Sequence, residues 1–165
     1  IILGDETPRI AFQKRRDCLI RECRTEEDFR AAGAVLSEAW QASHGFCSPD
    51  FLARHTPEER TEYLEAGGRQ GKRVFTIANG GKALGLVSLC GSEIGDLYVL
   101  PEVQGLGYGR LLLDFAVRQA PGTPTLWLLE NNTAAQRFYE DAGFIFTGSE
   151  IRSGKLAERE MTLQA

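Results

Sequence analysis

The stretch EIGDLYVLPEVQGLGYGR, from Glu93 to Arg110, limits the fold more than any other part of this chain. Ile94 to Leu100 is apolar along both faces and rich in strand formers such as Tyr98 and Val99. Continuous rather than alternating hydrophobicity predicts a strand buried on both sides in the middle of a mixed sheet. Pro101 removes a backbone donor and ends the ladder. A glycine-rich turn follows, Gln104-Gly105-Leu106-Gly107-Tyr108-Gly109-Arg110, and then the apolar run Leu111 to Val117, which reads as a buried helix. A helix start carries unpaired N–H groups and the positive end of the macrodipole. Glycines let the backbone approach a ligand closely. Together these features predict an anion cradle suited to a phosphate or pyrophosphate.

The cradle is neither of the two commonest kinds. No Lys-Ser or Lys-Thr pair follows the glycines, so the P-loop pattern fails. The dinucleotide fingerprint G-x-G-x-x-G fails too, because its third glycine falls on Arg110 or Leu112. The pattern that fits is Q/R-x-x-G-x-G/A, as Gln104-x-x-Gly107-x-Gly109 behind the strand LYVLPEV. This resembles the acetyl-CoA-binding motif of the GNAT acetyltransferases. Further on, LWLLENNTAAQRFYEDAGF is similar to the family string L-x-V-x-x-x-N-x-x-A-x-x-x-Y-x-x-x-G-F. The resemblance covers residues from about 18 to 163 and is strongest from Glu93 to Phe144.

Composition agrees with a catalytic globular domain and excludes some alternatives. The chain has 165 residues, 42% hydrophobic and 25% charged, enough for one domain with a sizeable core. A net charge of −4 gives no electrostatic case for nucleic acid as a partner. No apolar run reaches membrane-spanning length, and no secretory signal is legible. Cys18, Cys23, Cys47 and Cys90 lack metal-site spacing, so reduced thiols of a cytoplasmic protein without metal are expected. Residues 1–17 read as an extension or extra strand, with a solvated Lys14-Arg15-Arg16 cluster, and 18–165 as a single domain.

In chain order, Cys18 to Cys23 reads as a strand. Thr25 with Asp28 resembles a capping box opening a helix to about Trp40. Ser48-Pro49-Asp50 opens a short helix and Thr56-Pro57-Glu58-Glu59 a longer one, ended by Gly67-Gly68. Arg73 to Ala78 and Ala83 to Cys90 form a hairpin around Asn79-Gly80-Gly81. After the central strand and helix come a strand at Thr125 to Leu129, a helix from Asn132 to a Gly143 cap, and strands at Phe144 to Thr147 and Glu158 to Leu163. The order is β α α β β β α β α β β, an α/β mixed sheet with helices on both faces. The resemblance implies the GNAT-like acyl-CoA N-acyltransferase fold.

It also implies the activity: transfer of the acetyl group of acetyl-CoA to an amine, small molecule or peptide, by direct attack in a ternary complex. The alternative is a non-catalytic acyl-CoA-binding or interaction module on the same fold. The resemblance assigns pyrophosphate binding to the backbone of Gly105, Leu106, Gly107, Tyr108, Gly109 and Arg110, and places Gln104 at the start of the motif. Leu97, Tyr98 and Val99 match the strand that pairs with the pantetheine arm, with their side chains expected in the core. Asn132 matches a cofactor contact, although an N-cap role fits it equally. Tyr139 lies seven residues on, close to two helical turns, and matches a hydroxyl near the cofactor sulfur. A phenol with pKa about 10 can protonate or hydrogen-bond a thiolate whose conjugate acid has pKa about 8.5.

For the proton of the acceptor ammonium, Glu93 matches a position often acidic in the family. Asp96 is the second candidate, and a water chain the third. Either carboxylate also fits a solvated strand-end residue. Trp40, His44 and Trp127 fall on segments able to border the acceptor. Exposed edge strands at the C-terminus allow a homodimer.

Overall fold

A computed structural model describes residues 18–45 and 47–165. The extension 1–17, with its basic cluster, and Phe46 lie outside the described residues.

The elements are β1 (Cys18–Glu22), α1 (Glu26–Ser43), α2 (Pro49–Ala53), α3 (Pro57–Arg69), β2 (Arg73–Asn79), β3 (Lys82–Cys90), β4 (Glu93–Val99), a 3-10 turn (Pro101–Val103), α4 (Tyr108–Gln119), β5 (Thr125–Leu129), α5 (Thr133–Asp141), β6 (Phe144–Ser153) and β7 (Leu156–Leu163). The one-turn helix α2 is the short helix expected at Ser48-Pro49-Asp50, and it adds a third helix between β1 and β2 where the expected order has two. Ser48 caps it by accepting from the Phe51 N–H. The capping box is present in full at α1: Thr25 accepts from the Asp28 N–H and Asp28 accepts from the Thr25 N–H. Helix α3 does not stop at Gly67-Gly68 but runs to Arg69. Gly68 packs against Phe29 of α1, and Gly67 lies close against the Lys72 side chain.

The strands form one seven-stranded mixed sheet in the order β1-β2-β3-β4-β5-β7-β6. All neighbours are antiparallel except β4 and β5, which run parallel. The two faces of β2 and β3 read as alternate residues. Gly85 sits against Leu112 and Phe75 against Phe115, so α4 covers one face. Ser88 lies on the other, the side reached by Tyr63 of α3 through Asp96. Burial on both sides explains why Leu84 to Leu89 is buried throughout.

Two irregularities position the site. Between Val87 and Leu89 of β3, strand β4 spends one extra residue, a bulge around Gly95 and Asp96. The buried Ser88 hydroxyl fixes it, accepting from the Asp96 N–H at 2.8 Å and donating to Asp96 Oδ2 at 2.9 Å. The second irregularity is a split. Strands β4 and β5 pair only at Glu93 with Thr125 and Ile94 with Leu126, and from there they diverge.

That split corrects one expectation. Ile94 and Leu100 are buried, but the residues between them are not core on both sides. Leu97, Tyr98 and Val99 are half-buried and line the cleft that the divergence opens. Strand β6 also extends beyond Thr147, to Ser153, by way of Gly148 at φ +94° and a register shift.

Candidate active site

The cleft between the diverging strands is lined by five elements. Gly95, Leu97, Tyr98, Val99 and Gln104 supply the β4 wall, and Trp127 to Leu129 the β5 wall. Asn132, Ala135 and Tyr139 enter from the start and face of α5. Trp40, Ser43 and His44 enter from the end of α1, and Glu158 from β7.

The glycine-rich turn closes one end. Gly105 has φ +78° and nothing within 4 Å of the position a side chain would take. Gly107, at φ +94°, is the left-handed N-cap of α4. No side chain caps this helix, and the first carbonyl to accept from within it is that of Gly107, bonded to the Leu111 N–H at 3.1 Å. The N–H groups of Tyr108, Gly109 and Arg110 are therefore the open donors of a helix start. Gly109 is not in the left-handed region, and a Cβ there would make ordinary contact with Phe138 and Val99 at 3.7 Å. The arrangement fits an oxygen-rich anion held by backbone N–H groups at a positive helix end.

Several expected site residues have partners that define their roles. Gln104 donates its side-chain amide to the Val99 carbonyl at 3.2 Å, tying the turn back to β4. Arg110 binds Asp114 at 2.9 Å and reaches the Asp141 carbonyl at 3.4 Å, so its guanidinium braces α4 against the end of α5. Asn132 is the N-cap of α5, accepting from the Ala135 N–H at 3.1 Å, and it also lines the cleft. Tyr108 is buried and accepts a hydrogen bond from Asn79, so it serves the turn from its core side.

Tyr139 is held edge-to-face by Phe138 and Phe144 at 5.2 and 5.9 Å between ring centroids. Burial pushes its hydroxyl pKa well up, with a smaller contribution from nearby Tyr98. Tyr98 is pushed up to about 12 by burial and by Asp96 and Tyr63. Both phenols are therefore neutral O–H donors at any ordinary pH. Tyr98 is a side chain that sequence reasoning had assigned to the core. It became legible only once the bulge and the split were known.

Neither carboxylate of β4 lines the cleft. Glu93 is exposed at the start of the strand, opposite Cys90 and Thr125. Asp96 is engaged on the α3 side by Lys72 at 3.3 Å, Tyr63 at 3.2 Å and Ser88 at 2.9 Å. Burial alone would lower the Lys72 ammonium, but Asp96 and Tyr63 outweigh it and the pKa is raised. The carboxylate that does line the cleft is Glu158, which no motif marks. Trp40 is held between two parallel imidazoles, His44 at 4.0 Å and His55 at 3.7 Å.

The four cysteines are free, and burial raises the Cys23 thiol to about 12. Among the described residues no group of His, Cys, Asp and Glu is arranged to hold a metal ion, and no helix is long and apolar enough to cross a membrane.

A split mixed sheet, with a glycine-rich helix start at the end of its divergent strand and a half-buried phenol across the gap, defines an acyl-CoA-dependent acyltransferase. The acetyltransferase (GNAT) domain profile matches residues 70–146. The peptidyl-lysine N-acetyltransferase YjaB of Salmonella typhimurium is 30% identical over 129 residues, covering 78% of this chain and 84% of that protein. The solution structure of apo YjaB from Escherichia coli superposes with a TM-score of 0.63 at 28% identity, covering 88% of this chain and 96% of the other. The PaiA N-acetyltransferase of Thermoplasma acidophilum, in complex with coenzyme A, shares the fold with a TM-score of 0.65 at 18% identity, covering 87% and 97% of the two chains. The chain belongs to the GNAT family and is an acetyl-CoA-dependent N-acetyltransferase.

Proposed function

We propose that this enzyme acetylates lysine side chains of proteins or peptides, by direct attack of the amine on acetyl-CoA in a ternary complex. The acceptor class follows the YjaB relative, whose name specifies peptidyl-lysine. The single observation that carries the reading is the cleft itself. One space is bordered by Gln104 at the start of the glycine-rich turn, by Leu97 to Val99 on the edge of β4 that β5 leaves unpaired, and by Tyr139 of α5.

Each residue then has a task. The backbone of 105–110 holds the pyrophosphate, with Gly105 and Gly107 leaving the approach clear. The edge of β4 at Leu97 to Val99, unpaired by β5, offers main-chain groups to the pantetheine arm and a donor to the thioester carbonyl. Asn132 contacts the cofactor from the α5 cap. As the amine nitrogen bonds to the acetyl carbon and the carbon–sulfur bond breaks, Tyr139 donates a hydrogen bond or a proton to the departing sulfur. Its raised pKa keeps that hydroxyl protonated beforehand. No cysteine lines the cleft, which supports transfer without an acyl-enzyme.

A lysine ammonium has a pKa near 10.4 and must lose a proton before attack. For Glu93 and Asp96, the β4 carboxylates outside the cleft lining, we propose a relay through water rather than direct contact. Free cysteines and a CoA thioester donor suit a reducing, cytoplasmic setting. The unpaired edge of β6 leaves a homodimer open.

The test is incubation with acetyl-CoA and a lysine-bearing peptide, following free thiol and peptide mass together. Thiol release matched by acetylated peptide is expected. Thiol release without any acetylated product would reduce the activity to hydrolysis and refute the acceptor.

A further inference from the structure

Among the described residues, the cleft contains a carboxylate that no side chain bonds or pairs with. Glu158 stands on β7 opposite Leu129 of β5 and Ile151 of β6. Residues directly opposite in neighbouring strands share a face, and so do residues two apart in one strand. Glu158 therefore lies on the same face as Leu129 and Trp127, the cleft side. It is exposed, and among the described residues no side chain bonds to it or pairs with it. Neighbouring acids are committed elsewhere. Glu160 accepts from Thr147 at 2.8 Å, Glu130 accepts from the Ala157 N–H at 3.3 Å, and Glu150 pairs with Arg152 at 2.8 Å. Among the described residues no lysine or arginine lines the cleft.

The two other features of this end are indoles. Trp127 lies on the β5 wall, and Trp40 on the α1 wall between its two imidazoles. The face of Trp127 suits an aliphatic stem or the cation at its tip, whereas the faces of Trp40 are already stacked with His44 and His55. A carboxylate between aromatic walls suits an ammonium at the end of methylenes. It disfavours an anionic acceptor and gives nothing to a neutral arylamine.

The geometry points to Glu158 as the specificity-determining residue for the acceptor: its carboxylate receives the ammonium of a cationic alkylamine, such as a lysine side chain, while Trp127 flanks the stem. This assignment rests on the acceptor reading above. The ion pair forms before deprotonation, so it belongs to binding rather than to the transition state. Its loss should appear in KM for the acceptor far more than in kcat.

The experiment compares the full chain with Glu158→Gln and Glu158→Lys, using a lysine peptide and a neutral arylamine as acceptors, with acetyl-CoA affinity measured by calorimetry. The side chain is exposed and the glutamine isosteric, so both variants are expected to fold. For Glu158→Gln, peptide KM should rise about tenfold with acetyl-CoA affinity unchanged, and Glu158→Lys should raise it further. Wild-type KM should also climb with salt, while the Gln variant should respond less. The preference for lysine over arylamine should shrink in both variants. Lysine acetylation with the same KM in all three proteins would overturn the role of Glu158 and leave the acceptor class standing. A fall in kcat without a change in KM would also overturn it. No acetylation of any lysine peptide by the wild type would overturn both.

Discussion

Tyr139 carries the most chemistry of any single residue here, and its substitution separates catalysis from packing. Tyr139→Phe keeps the ring and its contacts to Phe138 and Phe144 and removes only the hydroxyl. General-acid assistance is typically worth about 10² to 10⁴ in rate, so kcat should fall by about that factor. Acetyl-CoA affinity by calorimetry should move little, because the hydrogen bond matures as the sulfur leaves. A variant with near-normal kcat, chemistry being rate-limiting, would make Tyr139 a packing residue. Its place was legible in advance because Asn132 and Tyr139 sit seven apart on one helix face of a recognisable string. Glu158 was not legible. An isolated acid in a strand has no motif, and only its register against Leu129 brings it to the cleft.

At the level of elements, the turn into α4 and the bulge in β4 each depend on one small residue. Gly107 holds φ +94° at the helix N-cap, a conformation that a β-branched residue adopts only under strain. Gly107→Val should lose at least tenfold in acetyl-CoA affinity while the domain still melts cooperatively; unchanged affinity would remove the turn from the binding site. Ser88 is buried and spends its hydroxyl on both the backbone and the carboxylate of Asp96. Ser88→Ala strands that N–H, a loss of about 1–3 kcal/mol in denaturant unfolding. A change below the error of the measurement would show that the bulge holds without it.

The cap of α1 makes a pH prediction. Hydrogen bonds from the Arg24 and Thr25 N–H groups lower the Asp28 carboxyl to about 2, from 3.8. A lowered folded-state pKa gives stability that is complete above the unfolded value and is lost as pH falls through the folded one. The advantage of wild type over Asp28→Asn, in urea midpoint, should therefore be full near neutrality and fade between pH about 4 and about 2. Glu22, lowered by its hydrogen bond to Arg73, should add loss in the same direction. The capping box was plain in the sequence because four consecutive residues write it; the bulge was not, because Ser88 and Asp96 meet only across a strand pair.

For the whole molecule, the split divides the sheet into two parts that meet at a narrow seam above one continuous hydrophobic core. Strands β1 to β4, with α1, α3 and α4, form one part; β5 to β7, with α5, form the other, and the β4–β5 ladder joins them through two residue pairs. Element order reveals the strands of such a sheet, since hydrophobic period and turn chemistry are local. Divergence between neighbours is a long-range property, and it turned an apparently two-sided core strand into a cleft wall. A donor lying along β4 and reaching across to α5 would touch both parts and favour only the folded, joined state. Binding then stabilises by mass action, about 2.7 kcal/mol at a hundred times Kd. In a domain of this size each kcal/mol moves Tm by about 2–4 °C, so saturating acetyl-CoA should raise Tm by roughly 5–10 °C. Gly107→Val, at the same ligand concentration, should show a much smaller rise, because its turn no longer accepts the pyrophosphate. A wild-type Tm that ignores acetyl-CoA would mean that the cleft does not hold the donor, and an equal rise in both proteins would mean that the donor binds without the α4 turn.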